Sequence, residues 1–302
     1  MAFKHGVYKS EVATSILPPS QINGGLPVII GTAPVFMTDT PKVNEPVLVY
    51  SYEEAVQALG YSRNWERYTL CEFMYSQFAL YNKAPAILIN VFDPEVHKSV
   101  IEPSAHKIVN GVVEISTHVI LSAGLTFEEG TNYVEGTDYE LSYDSEGVAQ
   151  LLVVSGGAMS DLTSITFGYT KAQPSEVKAS DIIGGIDITT GAHKGLELIN
   201  DIFPKFRLIP GLLGAPKFST NPGVAAVMRA KMENINGLFT GQAVIDIPSD
   251  SENAPTYTSV PEWKNNHNYL AEREIVCWPK VKLDDKVFYL STQLIGLMNS
   301  VD

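Results

Sequence analysis

The sequence has few cysteines, an excess of acidic over basic residues, and no long apolar run. Its two cysteines, Cys71 and Cys277, lie in separate apolar stretches, so we expect buried free thiols rather than disulfides or metal ligands. The chain of 302 residues contains 21 basic and 34 acidic residues, a net charge of −13, which disfavours nucleic acid as a partner. No window holds the roughly 18 apolar residues of a membrane span. Residues 1–21 lack the apolar core of a signal peptide, so we expect no membrane binding and folding in a cytoplasm.

The common sequence signatures of catalysis are also missing. The segment from Gly191 to Gly195 resembles part of a phosphate loop, but glycine follows Lys194 where a hydroxyl residue would hold magnesium, so a helix-entry loop is the better interpretation. The six histidines are scattered, and no G-x-S-x-G elbow occurs. Asp246 at a strand end and the polar loop from Pro248 remain as weak candidates for a catalytic carboxylate and a metal site. We predict no catalytic residues, no metal and no cofactor.

Short apolar runs bounded by proline and glycine alternate with helical patterns, which predicts an α/β fold. Hydrophobic residues make up 45% of the chain, enough for a sizeable core. The predicted strands are 27–31, 46–50, 85–92, 207–213, 243–247 and 274–278. The predicted helices are 51–60, 66–82, 191–203, 222–235 and 290–301.

Residues 105–171 interrupt this pattern with strand and turn signals alone. Asn110-Gly111 predicts one hairpin and Asp144–Gly147 another. Residues 104–173 hold nine acidic and two basic residues, a net charge of −7. We therefore predict an inserted all-β domain at 104–173 within a discontinuous mixed-sheet α/β body formed by 23–103 and 174–302. We expect that deleting Ala105–Lys171 leaves the rest folded.

The first 22 residues are interpreted as an extended N-terminal arm. The stretch from Val7 to Val12 alternates like a strand, and Pro18-Pro19 then forms a stiff break. A strand isolated in this way has to pair far away in the chain or with another chain. Val7, Tyr8 and Val12 are the candidate arm residues, and Pro18 and Pro19 are the candidate hinge. The alternative is a frayed terminus.

Several stretches, in order, resemble the sheath proteins of contractile tails in myophages and R-type bacteriocins. They cover most of the α/β portion, and none of them lies in 104–173. The stretches are His5-Gly6-Val7 with Glu11 and Pro18-Pro19, Pro27–Ala33, Asn44–Val49, Phe206–Pro216, and Arg273–Pro279 with Ser291-Thr292.

This resemblance implies a structural protein rather than an enzyme. Sheath subunits form stacked rings around an inner tube, and each arm adds a strand to a neighbouring subunit. Contraction rotates the subunits and drives the tube through a target envelope. The implied partners are identical sheath subunits, the inner tail tube protein, and baseplate and tail terminator proteins. The implied location is a virion tail or tail-like particle assembled in the bacterial cytoplasm. The family continues past the Trp278-Pro279 region into a tube-facing C-terminal domain, and we expect that domain to be absent from this chain, so no tube contact is assigned.

Two other interpretations stay open at this stage. One is another tail or baseplate component that shares this α/β body. The other is a doubly wound α/β oxidoreductase or hydrolase with a ligand at the carboxyl ends of its strands, near Asp246 or Ala33.

Overall fold

A computed structural model describes residues 25–301. The strands are β1 (Pro27–Gly31), β2 (Pro46–Val49), β3 (Ala86–Asn90), β4 (Lys98–Lys107), β5 (Val112–Thr117), β6 (Leu125–Phe127), β7 (Tyr139–Tyr143), β8 (Val148–Val153), β9 (Ser164–Ala172), β10 (Gly185–Ile186), β11 (His193–Lys194), β12 (Leu212–Gly214), β13 (Gln242–Asp246), β14 (Glu274–Cys277), β15 (Val281–Leu283) and β16 (Lys286–Phe288). The helices are α1 (Tyr52–Leu59), α2 (Thr69–Met74), α3 (Ala179–Ile183), α4 (Ile199–Phe206), α5 (Pro222–Glu233), α6 (Val260–Asn266) and α7 (Leu290–Met298). None of the helices within 25–301 has the length and apolar character needed to cross a membrane.

The principal sheet has six strands in the order β14-β13-β12-β1-β3-β2. All neighbouring strands run parallel except β2, which pairs antiparallel with β3 at one edge. Every residue of β1 and β3 is buried, which explains why these strands read as continuous apolar runs rather than as alternating ones. Helices connect most of the parallel strands, as parallel pairing requires. The mixed-sheet α/β fold class predicted from the sequence is confirmed.

Two helices begin where the sequence signals placed them. Ser51 caps α1 by accepting a hydrogen bond from the Glu54 backbone N–H at 3.1 Å, and Gly60 ends that helix with a positive φ of 74°. Asn221 caps α5 in the same way, with Pro222 at the first helical position. Local capping chemistry therefore determined these boundaries.

Three predicted elements differ from the structure. The helix predicted at 191–203 is replaced by β11, a short 3₁₀ helix at Gly195–Leu198, and α4. The strand predicted at 207–213 shrinks to β12, because Arg207 adopts a left-handed conformation that ends α4. The single helix predicted at 66–82 is α2 followed by a π-helical segment, Tyr75–Leu80.

Residues 98–172 form strands and short turns, which confirms the β character predicted for this region. They build two antiparallel sheets with the orders β4-β9-β6 and β5-β8-β7. The turn at 144–147 joins β7 to β8 as predicted. Asn110-Gly111 forms a turn with a single bridge, Val109 to Val112, and the longer strands on either side pair elsewhere.

This β region has a core of its own but is also packed into the principal core. The separate core includes Val113, Leu151 and Phe167. Ile120, by contrast, is 2% exposed and belongs to the principal core. The Tyr143 ring lies 6.3 Å from the Phe36 ring, centroid to centroid, across the junction. The two cores therefore meet along a substantial apolar contact.

This junction predicts the effect of deleting Ala105–Lys171. The shortened chain should keep its principal sheet but lose at least about 3 kcal/mol of unfolding free energy, the order of a large-to-small change in a core. The reason is that Phe36 loses Tyr143 and the principal core loses Ile120. A loss of that size lowers the thermal midpoint by about 10 °C for a chain of this length, measurable by circular dichroism.

Two single substitutions in the intact chain test the same explanation. Ile120→Ala should reproduce part of the loss, whereas Val134→Ala, at a position that is 56% exposed, should leave the midpoint unchanged. Either an unchanged midpoint or complete unfolding of the deletion variant would contradict the prediction.

Candidate functional site

The carboxyl edge of the principal sheet is where a ligand would bind in an open α/β fold. Five parallel strands end there, and the sequence placed Asp246 and Ala33 at this edge. The structure fills the edge with buried polar side chains, most of them engaged with each other or with nearby backbone.

Asp246, the last residue of β13, is 3% exposed and fully engaged in hydrogen bonds. The Ser291 backbone N–H donates to its Oδ1 at 3.0 Å, and the Ser291 hydroxyl donates to its Oδ2. The Ser219 hydroxyl also donates to Oδ2, at 3.3 Å. Burial raises the pKa of Asp246 to about 6, and these hydrogen bonds oppose part of that rise. Asp246 thus holds α7 and the 218–220 turn against the sheet.

Glu72 on α2 binds the same first turn of α7. It is 2% exposed, and its Oε1 accepts hydrogen bonds from the Tyr289 backbone N–H at 2.7 Å and from the Thr292 hydroxyl at 2.8 Å. Burial raises its pKa to about 8, and the nearby Asp246 charge adds to the rise. The two carboxyl groups together hold the start of α7, residues 289–292, on the carboxyl edge. The sequence singled out Asp246 but not Glu72, and it gave no sign that the two act together, because they lie 174 positions apart.

Ala33 lies in a second polar network, organised by Asn90 at the end of β3. The Asn90 Oδ1 accepts from the Ala33 and Phe92 backbone N–H groups at 2.9 and 3.1 Å. Its Nδ2 donates to the Lys42 and Phe92 carbonyls at 2.9 and 2.8 Å. All the polar atoms of the amide are satisfied, so this network joins loops rather than presenting a reactive group. An asparagine ending a buried strand is the signal that could have identified it.

The segment that resembles a phosphate loop forms part of a hairpin. β10 pairs with β11, and a side chain at Gly184 would collide with the Lys194 carbonyl. The Gly195 backbone N–H, which a phosphate would need, donates to the Asn44 Oδ1 at 2.9 Å. His193 in turn contacts Asp201, with 2.9 Å between Nδ1 and Oδ1. These contacts account for the glycines by close backbone packing.

The other candidates have structural explanations as well. In the polar loop after Pro248, Asp250 accepts hydrogen bonds from the Glu252 and Asn253 backbone N–H groups, both at 3.0 Å. Over residues 25–301, no group of three or more histidine, cysteine or acidic residues is arranged to hold a metal. Cys71 and Cys277 are free and buried, as predicted.

The predicted arm and hinge lie outside the described residues. They are Val7, Tyr8, Val12, Pro18 and Pro19. Gly25, the first described residue, lies against Asn299 just beyond the end of α7.

The buried Glu72 predicts a specific dependence of stability on pH. Burial raises its pKa in the folded protein to about 8, from an ordinary value of 4.5 that the unfolded chain keeps, so the folded state holds a proton that the unfolded state releases between these values. The unfolding free energy should therefore decrease as the pH rises through this window. The Glu72→Gln variant lacks this proton. As the pH rises, its unfolding free energy should therefore increase relative to that of the wild type by up to about 1.4 kcal/mol per pH unit.

Urea unfolding at pH 5, 6.5 and 8 measures this difference. Glu252→Gln, in an exposed loop, is the matched control and should track the wild type. Parallel pH curves for Glu72→Gln and the wild type would contradict the assignment.

Comparison with known proteins identifies a relative along nearly the whole chain. No protein-family model matches. The tail sheath protein of Burkholderia phage BcepMu is 26% identical over 99% of this chain and 62% of its own length. Among solved structures, the sheath tail protein from Desulfitobacterium hafniense covers 99% of this chain and 61% of its own, with 10% identity and a TM-score of 0.45. The chain thus spans about three fifths of the length of these proteins. The resemblance to the tail sheath family is confirmed by this similarity to a phage tail sheath protein.

Proposed function

We propose that the chain is a structural subunit of a contractile tail sheath. In this proposal the subunits stack as rings around an inner tube, and contraction drives the tube through a target envelope. The observation that carries the proposal is the similarity to a phage tail sheath protein over 99% of the chain. Its partners are identical subunits, the tube protein, and baseplate and terminator proteins. No residue of 1–302 is assigned to the tube.

The carboxyl edge of the sheet supports assembly over catalysis. Asp246 and Glu72 are the carboxylates best placed for chemistry. Both are buried beneath α7 and accept hydrogen bonds from its first residues. A general base needs its carboxylate within reach of a substrate. The carboxylates here stabilise the rigid body that a force-bearing subunit requires.

The inserted domain predicted at 104–173 is proposed to be an outward decoration of the subunit. The exposed edge strand of its sheet supports this proposal. β4 lies at the edge of its sheet and carries mostly exposed residues. Pro103 sits where the pairing of β4 with β9 shifts register, and Lys98 and Lys107 lie at the strand ends. Proline, lysine and a bulge are devices that prevent a further strand from adding to an edge. Polymerisation is therefore proposed to use the arm at 1–22 and the α/β body, not this region.

Immunogold electron microscopy of particles from the native source tests the proposed function directly. Antibody raised against this chain should label the whole length of the tail shaft, because a sheath subunit repeats along it. Label at one end only would indicate a baseplate or terminator component. Absence of label from every particle would return the α/β enzyme interpretation to first place.

Removing residues 1–20 from the sheath protein as it occurs in particles tests the arm. We expect polymerisation to stop while the thermal midpoint changes by less than about 3 °C, because strand addition joins subunits and does not build the core. Tube formation is scored by negative-stain microscopy. The matched control, Val134→Ala on the exposed surface of the β region, lies outside the arm and its hinge and should retain assembly. Normal tubes from the shortened protein would show that Val7, Tyr8 and Val12 are not an inter-subunit arm.

A further inference from the structure

Helix α7 has its polarity reversed relative to an ordinary surface helix. Its buried side consists mostly of polar and small residues, which are Ser291, Thr292, Ile295 and Gly296. The opposite side carries leucines at helical spacing, which are Leu290, Leu294 and Leu297. Leu297 is 51% exposed, and Val301, one helical step further along, is 71% exposed. These four residues, the α7 stripe, form an apolar row on the side of the helix that faces away from the core.

Helix α1 shows the usual arrangement on the same body. It buries Ala55 and Leu59 and exposes Glu53, Glu54 and Gln57. Single exposed apolar residues are common on soluble proteins and need no explanation, whereas a contiguous apolar row indicates a contact surface. The α7 stripe is such a row.

The buried hydrogen bonds of α7 hold the stripe in its outward position. Ser291 and Thr292 are bound to the two buried carboxyl groups beneath the helix. On one flank, the Gln293 Nε2 donates to the Ser76 Oγ at 2.9 Å. Turning the stripe inward would break these bonds and leave buried polar groups without partners, which is costly. A second surface, rather than a rotation of α7, is therefore needed to cover the stripe.

The segment that carries the stripe is electrically neutral. No charged residue occurs from Val287 to Val301, although 18% of the chain is charged and its net charge is −13. A strongly basic or acidic partner is recognised through charged side chains, and this segment has none. Two copies of an acidic chain repel each other, so they approach most readily through a neutral face. The charge distribution thus favours a second copy as the occupant.

We propose that the α7 stripe is a contact surface for a second copy of this chain. Its spacing of i, i+4, i+7 and i+11 is the one with which a helix packs along a partner. Removal of the four apolar side chains from water drives the contact. The choice of a second copy rests in part on the proposed function, in which identical subunits repeat.

Photo-crosslinking of the full chain tests which molecule covers the stripe. Leu297 is replaced by p-benzoylphenylalanine, and equal amounts of ¹⁵N-labelled and unlabelled chains are mixed and irradiated. Mass spectrometry should find crosslinked peptides that combine the two isotopes, because the stripe contacts another copy. The same photo-reactive residue at Val134, which is 56% exposed on the β region, is the matched control and should give no mixed crosslinks.

Two crosslinking results would overturn the proposal. Crosslinks confined to one isotope would show that the stripe is covered by its own chain, for example by residues 1–24, since Gly25 lies against Asn299 at the end of α7. The absence of any crosslink from Leu297 would show that nothing in the chain or in a second copy covers it.

Sedimentation equilibrium of the full chain measures the strength of the contact. The mean mass of the wild type should rise above that of the monomer as the protein concentration increases. Leu297→Glu should weaken this association about tenfold or more, because it places a carboxylate in an apolar contact. Glutamate favours helix, so circular dichroism should show an unchanged fold. Val134→Glu adds the same charge elsewhere and should associate like the wild type.

The outcomes separate this contact from the proposed function. A wild type that stays monomeric, or a Leu297→Glu variant that associates normally, would overturn the contact even if the antibody labels the whole tail shaft. Self-association that depends on Leu297, together with unlabelled tails, would support the contact and overturn the sheath role instead.

Discussion

The first turn of α7 is held on two buried carboxyl groups, and the carboxyl edge of the principal sheet depends on this contact. Asp246 comes from a central strand and Glu72 from α2, so the contact ties the late part of the chain to the early part. Buried carboxyl groups are costly unless their oxygens accept hydrogen bonds. The backbone N–H groups at the start of α7 have no partners within the helix and supply those bonds. The buried carboxyl groups and the free backbone N–H groups of α7 therefore satisfy each other's hydrogen bonding.

This arrangement explains why an edge that binds ligands in many α/β proteins is closed here. The polar residues that end β3 and β13 are present, but their atoms are directed at loops and at α7. Asn90 joins three loop segments through four hydrogen bonds, and Asp246 joins α7 to the turn before α5. A body held together in this way is suited to transmitting force between neighbours, which is the demand that the proposed sheath role makes.

The β region and the α/β body present different surfaces. The edge strand β4 is broken by proline and flanked by lysine, which discourages further strands. The helical face of the body instead carries partly exposed aromatic side chains, which are Tyr52, Tyr61, Trp65 and Tyr75. The β region is not an independent appendage, since Ile120 is part of the principal core. The β region is therefore anchored to the α/β body through apolar contacts.

The sequence by itself determined the elements whose signals are local. The apolar runs of β1 and β3, the Ser51 and Asn221 caps, the β character of 105–171 and the family resemblance were all readable, because each depends on neighbouring residues or on ordered motifs. The replacement of a helix at 191–203 by a hairpin was not readable, since it depends on Asn44, about 150 positions away, binding the Gly195 backbone. The pairing of Glu72 with residues 289–292 and the closure over Asp246 were decided by tertiary structure alone. Each joins residues far apart in sequence, and only the packed fold fixes their distances and burial.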